Sequence, residues 1–368
     1  MRDEKEDLLF VANVPPPWTG QGAIHKLLLE GEYSRVRLVH LPMLFSKTSA
    51  SQGKISADKI VSLCKLIFAT YRARLAGTKL LYFSPGGPVS SAVFRDGLYL
   101  LAVRPVMRST ILVYHSSGVA KYIESLPALL RVLMRAAFAR VQVAVQLSPN
   151  SPPDGREFEA KQICIIPNAL PDRAGREIER TPGPRLTILY MGVVATGKGV
   201  EDLLLAAAHL VTRQVPFLIT VVGDFQSPAE EEKLRRVASG LPAGTVNFAG
   251  PLTGAAKDEV FTSHDVFCFP SFWHAETFPL VLIEALSFSM PVIASRWRGI
   301  PDLLGEDGSC GTLVDIHGVD QIAEAFQRFA ADAELRRAQS HNARLRYLAR
   351  FQVEQLFRAY DQAFNALL

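Results

Sequence analysis

Residues 270–302 place a helix and a short buried strand in direct succession, PSFWHAETFPLVLIEALSFSMPVIASRWRGIPD. An apolar pattern over residues 280–286 predicts the helix, and Pro279 suits its first turn, where a missing N–H is not needed. Met290 and Pro291 end the helix, and the run VIAS at 292–295 predicts a strand of a parallel sheet. A helix start and a loop at the carboxyl end of a strand therefore meet at one crevice of an α/β fold.

Two glutamates stand in this stretch with seven residues between them. Glu276 precedes the predicted helix, and Glu284 lies inside it. The backbone N–H groups of residues 277–281 would be unpaired at the helix start, and with the helix dipole they form a site for a phosphate or diphosphate. A carboxylate beside such an anion is unfavourable unless a hydroxyl-rich group or a developing positive charge needs it. A sugar attached to a diphosphate meets that condition.

The segment ETFPLVLIEALSFSMPVIAS resembles the donor-binding signature of the retaining glycosyltransferases of family 4, which is typically E-x-F/Y-G-x-x-x-x-E-A-x-A-x-G-x-P-V-I-A. Pro279 stands where glycine is commoner, and Ser289 stands where glycine is usual before the Met-Pro pair. Neither change removes a functional side chain. The resemblance covers nearly all of residues 186–368 with ordered motifs and the first half of the chain only loosely.

The chain of 368 residues is long enough for two domains, each with its own core. No apolar run is long enough to cross a bilayer, and no secretory signal pattern is present near the first residues, so the sequence predicts a cytoplasmic protein. The four cysteines are scattered, without C-x-x-C or metal-ligand spacing. Residues 1–170 contain 21 Lys and Arg against 12 Asp and Glu, a net +9, which indicates an anionic partner for the first half.

Short apolar segments in the first half predict successive parallel strands, beginning with residues 8–14 and including residues 80–84 and 111–115. Gly20 and Gly22 lie between the first strand and a helix predicted from about Ala23, where glycine lets the backbone approach a ligand closely. His115 follows a strand at its carboxyl end, where open α/β sheets bind ligands. The resemblance implies that the glycine loop faces donor and acceptor, and that His115 contacts the donor sugar.

Two amphipathic helices in the first half carry several lysines and arginines, over residues 57–75 and 119–140. One interpretation is that these are solvated helix faces over a core. The other is that they contact an anionic membrane, which would place the protein peripherally on its inner face and fit a lipid-linked acceptor. Both interpretations are compatible with the same helices.

The second half begins with a strand predicted over residues 186–192, followed by a loop in which Lys198 stands between two glycines at the start of a helix. This position suits contact with phosphate oxygens. The resemblance implies further donor contacts at Gly192, Asp224 and Leu252, with the last in the segment that holds the base. Family members commonly have arginine at the position of Val193, so one of two expected diphosphate cations is missing here.

The pattern predicts an α/β protein with two domains. The resemblance implies the GT-B fold, in which two Rossmann-like parallel-sheet domains face each other across a cleft and a C-terminal helix crosses back to the first. We expect an acceptor-binding domain over residues 1–172 and a nucleotide-sugar-binding domain over residues 185–350. Residues 351–368 would form the terminal helix, and the charged, Pro- and Gly-rich residues 173–184 the linker.

The resemblance implies a metal-independent retaining transferase without a cofactor, which moves a sugar from a nucleoside-diphosphate sugar to a saccharide or lipid-linked acceptor. Nucleic acid is not an expected partner. Glu276, His115 and Lys198 are the predicted catalytic residues, and the predicted donor-binding set is Gly20, Gly22, Gly192, Asp224, Leu252, Thr277, Phe278, Pro279, Leu280 and Glu284. Two alternatives stay open: a non-catalytic nucleotide-sugar-binding protein, which Val193 would suit, and a GT-B sugar-nucleotide epimerase.

Overall fold

The computed structural model describes residues 5–16, 18–43 and 57–368. These residues form two compact units, Met1–Asn168 with Val353–Leu368, and Ala169–Gln352. Residues 173–184, which the sequence suggests as a linker, therefore lie within the second unit. The predicted domain boundaries and their roles in acceptor and donor binding remain predictions.

The first unit alternates strands and helices. In chain order these are β1 (Glu6–Ala12), α1 (Gly20–Leu29), β2 (Val36–Pro42), α2 (Ala57–Leu75), β3 (Leu80–Phe83), α3 (Ser90–Val103), β4 (Ser109–Tyr114), α4 (Val119–Glu124), α5 (Ala128–Phe138), β5 (Val143–Gln146), α6 (Asp154–Glu157) and β6 (Gln162–Ile165). The strands pair in parallel in the order β2-β1-β3-β4-β5-β6.

The second unit repeats the plan. It contains β7 (Leu186–Met191), α7 (Val200–Thr212), β8 (Phe217–Val222), α8 (Pro228–Ala238), β9 (Val246–Gly250), α9 (Gly254–Ser263), β10 (Val266–Phe269), α10 (Leu280–Ser287), β11 (Val292–Ser295), α11 (Ile300–Leu304), β12 (Gly311–Val314), α12 (Val319–Ala331) and α13 (Ala333–Arg350). Its strands are also parallel, in the order β12-β11-β10-β7-β8-β9.

Burial explains why these strands are apolar throughout rather than alternating. Every residue of β3, β5, β10 and β11 is buried, as expected for parallel strands that helices cover on both faces. The edge strand β6 differs, because Ile163 and Ile165 are exposed. The two parallel sheets confirm the predicted fold class.

The last helix, α14 (Val353–Asn365), belongs to the first unit although its sequence follows the second. Phe364 packs edge-on against Tyr33, with ring centroids 4.9 Å apart. The Asp361 carboxylate accepts from the Ser34 backbone N–H at 2.7 Å and from its hydroxyl. The C-terminal helix thus returns to the first unit, as predicted.

The helix after β1 starts earlier than the sequence suggested. Thr19 is its N-cap, and the Thr19 hydroxyl accepts from the Gly22 N–H at 3.0 Å, so Gly20 and Gly22 lie in the first turn of α1 rather than before it. Threonine is a favourable N-cap because its hydroxyl satisfies an otherwise unpaired N–H. None of the helices in the described ranges is both long enough and apolar enough to traverse a lipid bilayer.

Candidate active site

The order of the second sheet determines where its candidate site lies. β7 pairs with β8 on one side and with β10 on the other. The chain adds β8 and β9 on one side of β7 and then β10, β11 and β12 on the other, so the strand order reverses between β7 and β10. Open parallel sheets bind ligands at the carboxyl ends of the strands beside such a reversal. The loop after β7 carries Lys198, and the loop after β10 carries Glu276.

These two predicted catalytic residues contact each other. The Nζ of Lys198 lies 2.5 Å from Oε2 of Glu276, and the two side chains are only 17% and 13% exposed. Lys198 also lies over the rings of Phe269 and Trp273, at 5.7 and 5.8 Å from their centroids. A cation and a carboxylate are therefore held together on an aromatic surface with little access to water, where electrostatic interactions are stronger than at an exposed position.

Glycine allows the loop of Lys198 to approach the loop of Glu276. Gly199 has φ of +77°, and a Cβ there would lie 2.1 Å from the Pro270 carbonyl oxygen, so no other residue fits without moving the backbone. The N–H of Phe272 donates to the carbonyl of Gly197 at 2.8 Å and joins the two loops directly. Backbone contacts thus set the separation of Lys198 and Glu276.

A second close approach occurs at the ends of β7 and β8. Gly192 has φ of +153°, and its carbonyl oxygen lies 1.9 Å from where a Cβ of Gly223 would be. The next residue, Asp224, is exposed, and its backbone carbonyl accepts from the Val194 N–H at 2.9 Å. The side chain of Val193 is 53% exposed. The structure therefore groups Gly192 and Asp224 at one edge of the sheet, next to the loop of Lys198.

The other predicted donor residues of this stretch lie at the start of α10. The helix begins at Leu280, with Pro279 as its N-cap rather than in the first turn. Thr277 and Phe278 are buried, and the Phe278 ring lies 6.0 Å from that of Phe351. Because the helix starts one residue later than predicted, Leu280 provides its first helical N–H.

Glu284, inside α10, is paired with a residue that the sequence did not single out. The Nζ of Lys257, on α9, lies 2.5 Å from Oε1 of Glu284, and these side chains are 22% and 16% exposed. Lys257 comes shortly after Leu252, the predicted base-contacting residue, which is half-buried in the loop after β9. No local pattern links residues 257 and 284, so only the packing of α9 beside α10 reveals the pair.

The remaining predicted residues, His115, Gly20 and Gly22, belong to the first unit. His115 is half-buried, and its ring is edge-on to the buried His25 at 5.2 Å. Burial, and then the neighbouring His25, hold the pKa of His115 well below its usual range, and burial lowers the pKa of His25 to about 4. Both imidazoles are therefore neutral at physiological pH, and a neutral imidazole can accept one hydrogen bond and donate another.

Among the described residues, the His115 Nε2 is buried and has no hydrogen-bond partner, and the same holds for the His25 Nε2. The Nδ1 of His25 is 2.8 Å from the Asn13 carbonyl, so Nδ1 carries the proton and donates. His25 was not a predicted site residue. A histidine in the first turns of a helix gives no sequence signal that distinguishes a site from a core position.

Residues 172–346 match the family model for glycosyl transferases group 1. A phosphatidyl-myo-inositol mannosyltransferase of Mycolicibacterium smegmatis is 34% identical over 151 residues, which are 41% of this chain and 37% of that protein. O-antigen chain mannosyltransferase C of Escherichia coli is 27% identical over 284 residues, 75% of this chain and 73% of that protein.

The chain spans between 27% and 43% of the length of the first curated relatives that it matches. Over its whole length it is similar in structure to Anabaena HepE in complex with UDP-glucose. That similarity has a TM-score of 0.72 with 15% sequence identity and covers 98% of this chain and 99% of the other. The chain therefore has the two-domain GT-B fold of glycosyltransferase structures, and residues 172–346 carry the match to the glycosyl transferases group 1 model.

Proposed function

We propose that this protein is a glycosyltransferase that moves a sugar from a nucleoside-diphosphate sugar to a saccharide or lipid-linked saccharide acceptor, in bacterial polysaccharide or glycolipid assembly. The observation that carries the proposal is the contact between Lys198 and Glu276 at the reversal point of the second sheet. It combines a cation for a diphosphate with a carboxylate for sugar hydroxyls. The two mannosyltransferase relatives support sugar transfer, and the UDP-glucose in the structural neighbour supports this class of donor.

Each group has a role in this proposal. Lys198 and the start of α10 stabilise the negative charge that develops on the departing diphosphate. Glu276 accepts hydrogen bonds from the donor sugar and stabilises positive charge at the anomeric carbon, while Glu284 accepts from the ribose hydroxyls. A diphosphate oxygen and the Glu276 carboxylate compete for the Lys198 ammonium, so donor binding exchanges one anionic partner of Lys198 for another.

The stereochemical part of the proposal is retention. The bond from the anomeric carbon to the diphosphate oxygen breaks, and the acceptor oxygen bonds to the same face of that carbon. The acceptor proton passes to the diphosphate oxygen that has just left, so no separate carboxylate base is required. With an α-linked donor, NMR of the product should show an α linkage, and a β linkage would refute this course.

The donor is tested by calorimetry against UDP-, GDP- and ADP-sugars, with and without EDTA. We expect one of them to bind equally well under both conditions, because Lys198 and the helix dipole supply the positive charge that a metal would otherwise provide. Lys198→Met should weaken binding about tenfold or more, the scale of one charge-assisted hydrogen bond. Lys233 offers a matched control, since its Nζ is also 2.5 Å from a glutamate, Glu201, but on an exposed surface.

Loss of binding in EDTA would overturn the metal-free part of the proposal. An equal loss of binding affinity in Lys198→Met and Lys233→Met would mean that Lys198 is not part of the donor site. Tight binding of a nucleotide sugar without transfer to any saccharide or lipid-linked acceptor would favour the non-catalytic alternative. Interconversion of the sugar nucleotide without an acceptor would favour the epimerase.

We also propose that α2 attaches the first unit to an anionic membrane surface on the cytoplasmic side. Its exposed face alternates apolar and basic residues at helical spacing: Val61, Lys65, Phe68, Arg72 and Leu75. Phe68 is 66% exposed and Leu75 is 87% exposed. Apolar side chains flanked by cations suit the boundary between lipid headgroups and acyl chains.

The second basic helix supports this proposal less, because its charges are already paired. On α5, Arg135 contacts Glu124 at 3.1 Å, and the following Arg140 contacts Glu159 at 3.0 Å. Exposed apolar residues are nevertheless present on α5, with Leu129 at 79% and Val132 at 66% exposed. The contribution of α5 to membrane binding would therefore be apolar more than electrostatic.

Liposome sedimentation tests the membrane proposal. The protein should bind vesicles that contain anionic lipid and should detach as salt is raised. The double variant Phe68→Ser with Leu75→Ser should bind at least about tenfold more weakly, since each removed side chain is worth roughly 1.5 kcal/mol or more in an apolar environment. Leu345→Ser, at a 50% exposed site in the second unit, is the control. Equal partitioning onto neutral and anionic vesicles, or onto neither, would contradict the membrane proposal and mean that α2 only covers the core.

A further inference from the structure

We infer that Lys257 is a positioning residue for nucleoside recognition, which acts by holding the Glu284 carboxylate toward the ribose of the donor. The inference rests on the proposed function and adds a residue to it. Its basis is the Lys257–Glu284 pair, in which Nζ and Oε1 are 2.5 Å apart and both side chains are mostly buried.

A carboxylate as enclosed as that of Glu284 requires a partner. Removing it from water without one would leave its oxygens without hydrogen bonds, which is costly. Lys257 supplies a positive charge and a hydrogen bond at Oε1. The lone pairs of Oε2 can then accept from a second donor, such as the hydroxyl of a ribose.

The position of Lys257 in the fold fixes the direction from which it acts. α9 follows the carboxyl end of β9, and the helix is itself anchored: Arg173 lies 2.6 Å from the Asp258 carboxylate and also donates to the Gly254 carbonyl at 3.2 Å. Lys257 therefore approaches Glu284 from a fixed helix rather than from a loop. A lysine held in this way restricts the Glu284 side chain to one orientation and reduces the entropy that ligand binding must remove.

The two glutamates of this stretch then have parallel arrangements but different tasks. Glu276 is paired with Lys198, on the loop after β7, and Glu284 is paired with Lys257, on the helix after β9. The strands that these two elements follow, β7 and β9, lie on opposite sides of β8 in the sheet order. We assign the first pair to the diphosphate and the sugar, and the second pair to the nucleoside.

The experiment compares ribonucleoside diphosphates with their 2′-deoxy analogues by calorimetry, using UDP, GDP and ADP as probes. Wild type should bind one ribonucleotide more tightly than its 2′-deoxy form. Lys257→Met should weaken ribonucleotide binding about tenfold, the scale of a lost hydrogen bond to a charged group, and should affect the 2′-deoxy form much less. The ratio of the two affinities should thus fall toward one, and Lys257→Arg should restore part of it.

Controls separate the possible outcomes. Lys233→Met breaks an exposed lysine–glutamate pair of the same length and should leave both affinities unchanged. If Lys257→Met weakens both nucleotides equally, with an unchanged melting temperature, Lys257 contacts the base or diphosphate itself, and the inference is wrong. An unchanged ratio in Lys257→Met refutes it as well. If wild type binds none of the three nucleotides, the proposed function fails first, and the positioning role falls with it.

Discussion

Glu276→Ala is expected to lower turnover about a hundredfold or more, which is the usual scale for removing a preorganised contact to a developing charge. The carboxylate is 13% exposed and is oriented by Lys198, with the Ser271 hydroxyl 3.4 Å away, so its position is set without a ligand. Affinity for the free nucleoside diphosphate should not fall, because Glu276 competes with phosphate for Lys198. Steady-state kinetics and calorimetry measure the two effects separately.

Two further substitutions test whether the loss of turnover is specific to Glu276. Glu201→Ala removes a glutamate that is likewise 2.5 Å from a lysine, but 39% exposed, and should leave turnover unchanged. Glu284→Ala should chiefly raise the donor KM, because the ribose contacts proposed for Glu284 would be equal in the ground state and the transition state. If Glu276→Ala and Glu284→Ala both retained full activity, this crevice would not be the donor site.

Arg180→Met is expected to lower the free energy of unfolding of the second unit by about 3 to 5 kcal/mol. The Arg180 guanidinium donates to five backbone carbonyls, of Ile178, Phe261, His264, Phe288 and Ser289, at 2.6 to 3.4 Å. Burial lowers the pKa of this group to about 10, so it remains charged at neutral pH. Methionine fills similar space but donates nothing, and the carbonyls would lose their partner.

For a unit of this size, such a loss corresponds to a fall in melting temperature of about 10 °C. Differential scanning calorimetry of the full chain measures it. Arg176→Met provides the control, since Arg176 is an exposed residue of the same irregular segment. A melting temperature for Arg180→Met that matches this control would mean that the five hydrogen bonds contribute nothing net.

The contacts of Arg180 are an example of structure that the sequence does not predict. Residues 173–184 contain the charge, proline and glycine typical of a linker, and their composition gives no reason to expect an anchor. Arginine is ordinarily exposed, and its enclosure depends on carbonyls at the ends of α9 and α10, which lie far along the chain. Local pattern cannot predict a contact whose partners come from distant segments.

The elements themselves were more predictable. Fully buried parallel strands are continuous apolar runs, so the sequence predicts β3, β11 and their neighbours. Helix starts are harder to predict, because they depend on which residue caps the helix. With Thr19 as the N-cap, α1 begins at Gly20, and with Pro279 as the N-cap, α10 begins at Leu280. The sequence pointed to Lys198 through its flanking glycines, whereas Lys257 has no such local signal.

In the proposed transfer reaction, the two lysine–glutamate pairs would affect how quickly the product leaves the site. Lys198, Lys257, Glu276 and Glu284 together carry no net charge, so they form a balanced set rather than a cationic trap. An anionic ligand that enters such a set replaces a carboxylate as the partner of a lysine. A spent nucleoside diphosphate is more negative than the sugar-bearing donor, and the returning carboxylates oppose it more strongly. Exchange of this kind favours departure of the product over its accumulation.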